Sequence, residues 1–102
     1  MSGGGTDLRV FEALPGYELV RQGLDDLAHG ESHTVAALLV AIGAPRLREL
    51  GLTVPSALPS EPEHLLYECL SHGDADAAHG RYNALIRRLV SFERAAEHAT
   101  TG

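Results

Sequence analysis

Eight consecutive residues, Val35, Ala36, Ala37, Leu38, Leu39, Val40, Ala41 and Ile42, are all apolar, so a helix built from them has no face suited to water. Ser32 ahead of the run suits an N-cap and Gly43 behind it suits a stop, which predicts a helix over Ser32 to Ile42 enclosed by protein. A chain of 102 residues buries roughly 60 to 65% of the surface its unfolded form exposes. That is enough for one core around such a helix and too little for two domains. Counted to Ala44, the apolar run falls short of the roughly 18 to 20 residues that cross a bilayer, and no membrane span is expected.

The remaining segments repeat apolar residues at helical steps, without the alternation of a strand. Val10, Phe11 and Leu14 predict one or two turns, or an extended arm, between Asp7 and the Pro15-Gly16 break. Val20, Leu24, Leu27 and Ala28 mark a helix over Tyr17 to His29, with Gly30 as its stop. Pro45 can open a short helix, Pro45 to Leu50, that turns Leu47 and Leu50 inward, and the Pro-containing stretch from Gly51 to Ser60 reads as a stiff surface crossing. Ser60 and Glu63 have capping-box spacing ahead of a helix over Glu61 to His72. In the last segment Ala78, Tyr82, Leu85, Leu89, Phe92 and Ala96 alternate steps of four and three, widened by Ile86, and Asp74 can cap a helix over Asp74 to His98. The fold class expected is all-α: a compact bundle of four main helices plus a short connecting helix. Residues 7–102 form the single domain, and the Ser/Gly-rich residues 1–6 are expected to be disordered.

Charge narrows the choice of partner. Fourteen acidic residues face 8 basic ones, all arginine, for a net charge of −6. Binding to nucleic acid rests on a concentrated basic patch, and the only local clusters are Arg46 with Arg48 and Arg87 with Arg88. Thr34 to Leu52 has the outline of a helix-turn-helix, but Pro45 to Leu50 is too short for a recognition helix. Nucleic acid is therefore an unfavoured partner. The 6 histidines can cancel the net charge below about pH 6, which predicts falling solubility or new association there. The single Cys69 cannot form an intramolecular disulfide, and together with the absence of a secretion-type leader this points to a reducing, cytoplasmic setting. Its spacing from Leu65 and Leu66 predicts a buried thiol.

Two polar clusters could carry chemistry. His72, Asp74, Asp76 and His79 place four potential ligands within eight residues, and imidazole with carboxylate suits a divalent transition metal such as zinc, manganese or iron. The competing account is helix capping: aspartates favour the first turn of a helix, and His72 favours the last turn of the preceding one. His29, Glu31 and His33 form a second polar turn that could join the first cluster if the two meet in space. No phosphate-cradling glycine loop and no paired Glu-x-x-Glu acids occur, and no catalytic residues or cofactor are assigned.

A helix apolar on all sides needs more cover than three partner helices readily provide in a chain this small. Part of it, or the last helix's seam, is therefore expected to pack on another chain, most simply as a homodimer. The interface residues expected on this argument are Leu38, Leu39, Ile42, Tyr82, Leu85, Leu89 and Phe92. The equal alternative is that these residues fill the chain's own core. The function expected is a non-enzymatic homo-oligomerising or protein-partner-binding module, with a metal-binding protein or metal-dependent enzyme as the alternative.

Overall fold

The computed structural model describes residues 8–101. After a 3-10 turn, Leu8–Phe11, come four α-helices: α1 (Tyr17–Ala28), α2 (Val35–Glu49), α3 (Pro62–Gly73) and α4 (Ala78–Thr101). The all-α bundle expected from the apolar periodicity is what forms, with no strand among the described residues. None of the described helices is long and apolar enough to cross a membrane.

The run from Val35 to Ile42 lies at the centre of the fold. Every residue from Ala36 to Ala41 is buried, because α1, α3 and α4 all pack on α2. Its cap is Thr34, two residues beyond Ser32: the Thr34 hydroxyl accepts from the Ala37 N–H at 3.1 Å and donates to Asp26 Oδ2 at 2.6 Å. The helix also does not stop at Gly43. It continues through Pro45 to Glu49, absorbing the expected short helix into α2. Proline removes one ladder bond, to the Ala41 carbonyl, and tertiary packing outweighs that loss because Gly43, Ala44 and Leu47 all face the core.

Glycines let the helices approach closely at two points. A β-carbon on Gly23 of α1 would lie 2.2 Å from the Ala36 carbonyl oxygen and 2.4 Å from Val40 Cγ2. On Gly43 of α2 it would meet both Leu89 δ-carbons at 3.0 Å and Glu93 Oε2 at 2.8 Å. Contacts this close are closed to any larger residue without a shift of backbone or neighbours.

The ends of the chain's elements follow local chemistry. Phe11, at the end of the 3-10 turn, is buried and packs edge-to-face on Phe92, with ring centroids 5.8 Å apart. Of the alternatives expected here, one or two turns or an extended arm, a short turn is what forms, while Asp7 and the N-terminal residues 1–6 lie outside the described residues. Gly16 takes a left-handed φ of 80° with its α-carbon against the Arg88 carbonyl, tying the entry of α1 to α4. The crossing after α2 is less superficial than expected, since Leu52 and Val54 are buried and Arg48 donates to the carbonyls of Val54 and Pro55. The capping box does not form. Glu61, ahead of Pro62, adopts a left-handed φ of 52° as N-cap without a side-chain cap bond. Asp74 does cap: its Oδ1 accepts from the N–H groups of Asp76 and Ala77 at 3.1 and 3.3 Å, although α4 proper begins at Ala78.

The core is wholly apolar, and no polar or charged residue is buried among those described. Along its thinnest dimension the molecule measures 18 Å, which accommodates two layers of helices with axes about 8 to 10 Å apart.

Candidate functional site

The expected metal cluster is dispersed by the turn that contains it. Asp74 directs its carboxylate at backbone N–H groups, His79 Nε2 lies 3.2 Å from the Asn83 side-chain amide, and His72 and Asp76 are exposed. Among the described residues no three His, Cys, Asp or Glu side chains converge in a way that could hold a metal ion. The four side chains do not converge in this arrangement, in which the backbone between α3 and α4 turns around the Asp74 cap.

The second polar cluster is likewise occupied locally. His29 Nδ1 lies 2.8 Å from the Asp25 carbonyl oxygen, and this hydrogen bond, reinforced by the Asp25 carboxylate, raises the imidazole pKa above 6.5. His33 Nδ1 meets Ser32 Oγ at 3.1 Å, and Asp26 accepts from both Gln22 and Thr34. These contacts order the α1–α2 turn without joining it to the α3–α4 turn. Cys69 is exposed, contrary to the burial expected, because the inward stripe of α3 runs through Leu66 and Leu70. The two arginines of the would-be recognition helix are also committed internally, Arg46 to Glu97 and Arg48 to backbone carbonyls.

Of the seven expected interface residues, Leu38, Leu39, Leu89 and Phe92 lie inside the chain's own core. They cannot present a surface, and the cover that α2 was expected to lack is supplied within one chain by α1, α3, α4 and the buried Leu50, Leu52 and Val54. Ile42, Tyr82 and Leu85 are half-buried against that core.

Among the described large apolar residues Val10, in the 3-10 turn, is the most exposed at 65%, and a second apolar area, a strip, runs along the outer margin of α4 and the adjoining edge of α3. Tyr82 and Tyr67 are in ring contact, with centroids 5.8 Å apart and planes tilted by 53°. Ile86, one helical turn on, is half-buried, and Val90, one turn further, is 37% exposed, close to the 39% of Tyr67. Burial raises the Tyr82 phenol above its ordinary pKa of 10.0, and the nearby Glu63 carboxylate adds to the rise. This fixes an acid beside the aromatic end of the strip. In the sequence Tyr82 belongs to the core-facing seam, and Ile86 and Val90 lie one position beyond its members Leu85 and Leu89, whereas Tyr67 joins them only through the packing of α3 on α4.

Arginines are spread along α4, Arg81 beside Tyr82, Arg87 and Arg88 beside Ile86, and Arg94 between Glu93 and Glu97 beyond Val90. Arg81, Arg87, Arg88 and Arg94 are exposed and make no ion pair among the described residues. At 100° per residue, Asn83, Arg94 and Arg87 follow Val90 in turn around the helix, at the solvent margin of the strip. Behind the strip, Glu93 lies half-buried between Gly43 and Arg46. Desolvation raises its carboxyl pKa above 4.5, and the Arg46 charge partly offsets the rise. No cavity or cleft opens among the described residues, so the chemistry available here is that of a surface: apolar contact bounded by opposite charges. Compared with protein-family models, curated proteins and solved structures, the chain matches none.

Proposed function

We propose that the chain is a self-associating helical module whose working surface is the strip formed by Tyr67, Tyr82, Ile86 and Val90. The observation that supports this reading is the strip itself. Three of its members recur on α4 at four-residue steps, from the seam residue Tyr82 outward to Ile86 and Val90, and two of the four remain more than a third exposed after the core has closed. Aromatic anchors flanked by arginine are the composition enriched in protein interfaces. The expected interface thus shifts from the core seam to its outer neighbour, keeping Tyr82. The proposal includes a cytoplasmic setting, in which the exposed Cys69 stays a thiol.

The test is absolute mass in solution by size exclusion with light scattering near neutral pH. The expected result is twice the 10.9 kDa of one chain, falling to a single chain in a Tyr67→Ser/Val90→Ser variant with unchanged helical circular dichroism. A parent protein of single-chain mass up to high micromolar concentration overturns the proposal.

A further inference from the structure

Ahead of α1 the chain is broken by Pro15-Gly16, and little before that break belongs to the bundle. Arg9, Val10, Glu12 and Ala13 are exposed and Leu14 is half-buried. Phe11 alone among residues 9–14 is fully buried, with its ring against Phe92 of α4. We propose that residues 9–14 form a strap that undocks and redocks about Pro15-Gly16 while the four helices stay packed, with the Phe11–Phe92 ring contact as its latch.

Hydrogen bonding supports this first. The N–H groups of Glu12, Leu14 and Tyr17 donate to the carbonyls of Arg9, Phe11 and Leu14 at 3.2, 2.9 and 3.2 Å. These bonds belong to the segment's own turns, only the last spans the hinge, and Pro15 has no N–H to satisfy. Lifting the strap therefore orphans few backbone groups, and those it frees meet water.

The hinge is built to hold its place while the chain before it swings. Gly16 has a left-handed φ of 80°, which a glycine adopts without strain. Its carbonyl accepts from the Val20 N–H at 3.2 Å, and a β-carbon on it would lie 2.7 Å from the Arg88 carbonyl oxygen. Gly16 is thus seated against α1 and α4, and rotation falls to the residues ahead of it.

Packing gives the same division. Releasing the strap withdraws Phe11 and the half-buried Leu14 from a core whose other members lie from Tyr17 onward, and α2 keeps its cover from α1, α3 and α4. A segment with so few buried contacts opens well below the free energy of global unfolding. Opening uncovers the Phe92 ring, which lies about 200° around α4 from Val90. Strap and association strip therefore use different faces of that helix, and each can be tested without the other.

Limited digestion of the whole chain with chymotrypsin, which cuts after aromatic residues, tests the strap, because the bond after Phe11 is open to it only when that ring has left its seat. The first cut is expected after Phe11, leaving a product of residues 12–102 with unchanged helical circular dichroism. Its rate should be nearly flat in low urea, since a local opening exposes little surface, whereas cuts after Tyr67 and Phe92 should come later and accelerate steeply. Phe92→Leu keeps the bond to be cut and loosens the latch. It is expected to speed the cut after Phe11 by about two- to tenfold, as loss of an aromatic pair implies, with the urea dependence still flat. A cut after Phe11 that comes no earlier than those within the helices, or that shares their urea dependence, overturns the strap. An early cut whose rate is the same in Phe92→Leu overturns the ring contact as its latch.

Discussion

Gly23 and Gly80 both lie within helices, yet their substitution should move stability in opposite directions. A methyl group on Gly23 has no room between α1 and the backbone of α2 at Ala36, so Gly23→Ala must separate the helices. The expected cost is about 1 to 3 kcal/mol, the range for overpacking a well-filled interior. Gly80 in α4 has nothing within 4 Å of the β-carbon it lacks, and Gly80→Ala should stabilise by about 0.5 to 1 kcal/mol through helix propensity alone. Urea denaturation of both variants checks the pair. If Gly23→Ala unfolds at the parental midpoint, the close crossing of α1 and α2 is wrong. Glu93 offers a pH-dependent counterpart. A carboxyl whose pKa is raised on folding holds its proton more tightly in the folded state, so its ionisation weakens the fold as pH rises through the folded value, and that cost is absent below the unfolded value near 4.5. Glu93→Gln should therefore raise the denaturation midpoint near neutral pH and lose that advantage in acid, with Arg46 limiting the size of the gain. A gain that persists unchanged below pH 4 contradicts the assignment.

At the scale of single helices, the chain's local signals compete with one another, and α2 shows which of them prevail. Its apolar body was legible because eight apolar residues in a row demand cover on every side, and the helical periods and breaks of the flanking segments favour a helix over a buried strand. Its ends were not. Ser32 and Thr34 are both competent caps, and the choice of Thr34 rests on Asp26, a partner eight residues back that accepts the Thr34 hydroxyl. Gly43 and Pro45 read as breakers on propensity, yet both lie within the helix because Leu89 and Glu93 of α4 close over the glycine. A similar tertiary effect hid the surface site. Arithmetic on α4 finds Tyr82, Ile86 and Val90, but only the packing of α3 adds Tyr67 and Glu63. The apolar seam read from sequence has the right period, and of the two destinations left open for it the buried Leu89 and Phe92 take the core; sequence leaves both open since a stripe bound for the core and one bound for a partner are written in the same residues. Two substitutions check this view of α2. Thr34→Ala should cost about 1 to 2 kcal/mol as a lost cap, with Ser32→Ala near neutral. Leu39→Ala should cost about 2 to 5 kcal/mol by leaving a cavity, and it should do so at all protein concentrations. A Leu39→Ala variant that keeps its unfolding midpoint and only dissociates would return Leu39 to an interface.

For the whole molecule, the dominant condition is charge. All six histidines are exposed, and at His29 the Asp25 carbonyl and the nearby carboxylates favour the cation. Protonation of all six while the carboxylates remain ionised cancels the net charge of −6. Static light scattering is therefore expected to rise steeply as pH falls from neutral to about 5.5, beyond what a dimer accounts for. Scattering that stays flat over that interval would show that charge does not limit the solubility of this chain.

The central position of α2 also sets a schedule. Helices at the rim of the bundle can open while α2 stays covered, but α2 cannot be exposed unless α1, α3 and α4 have moved away from it. In deuterium oxide, amides at the ends of α1 and α3 should therefore exchange early through small local openings, while those from Leu38 to Ala44 should wait for the whole fold to come apart. The slowest of these amides would then report the global unfolding free energy, so that one short segment acts as the molecule's clock.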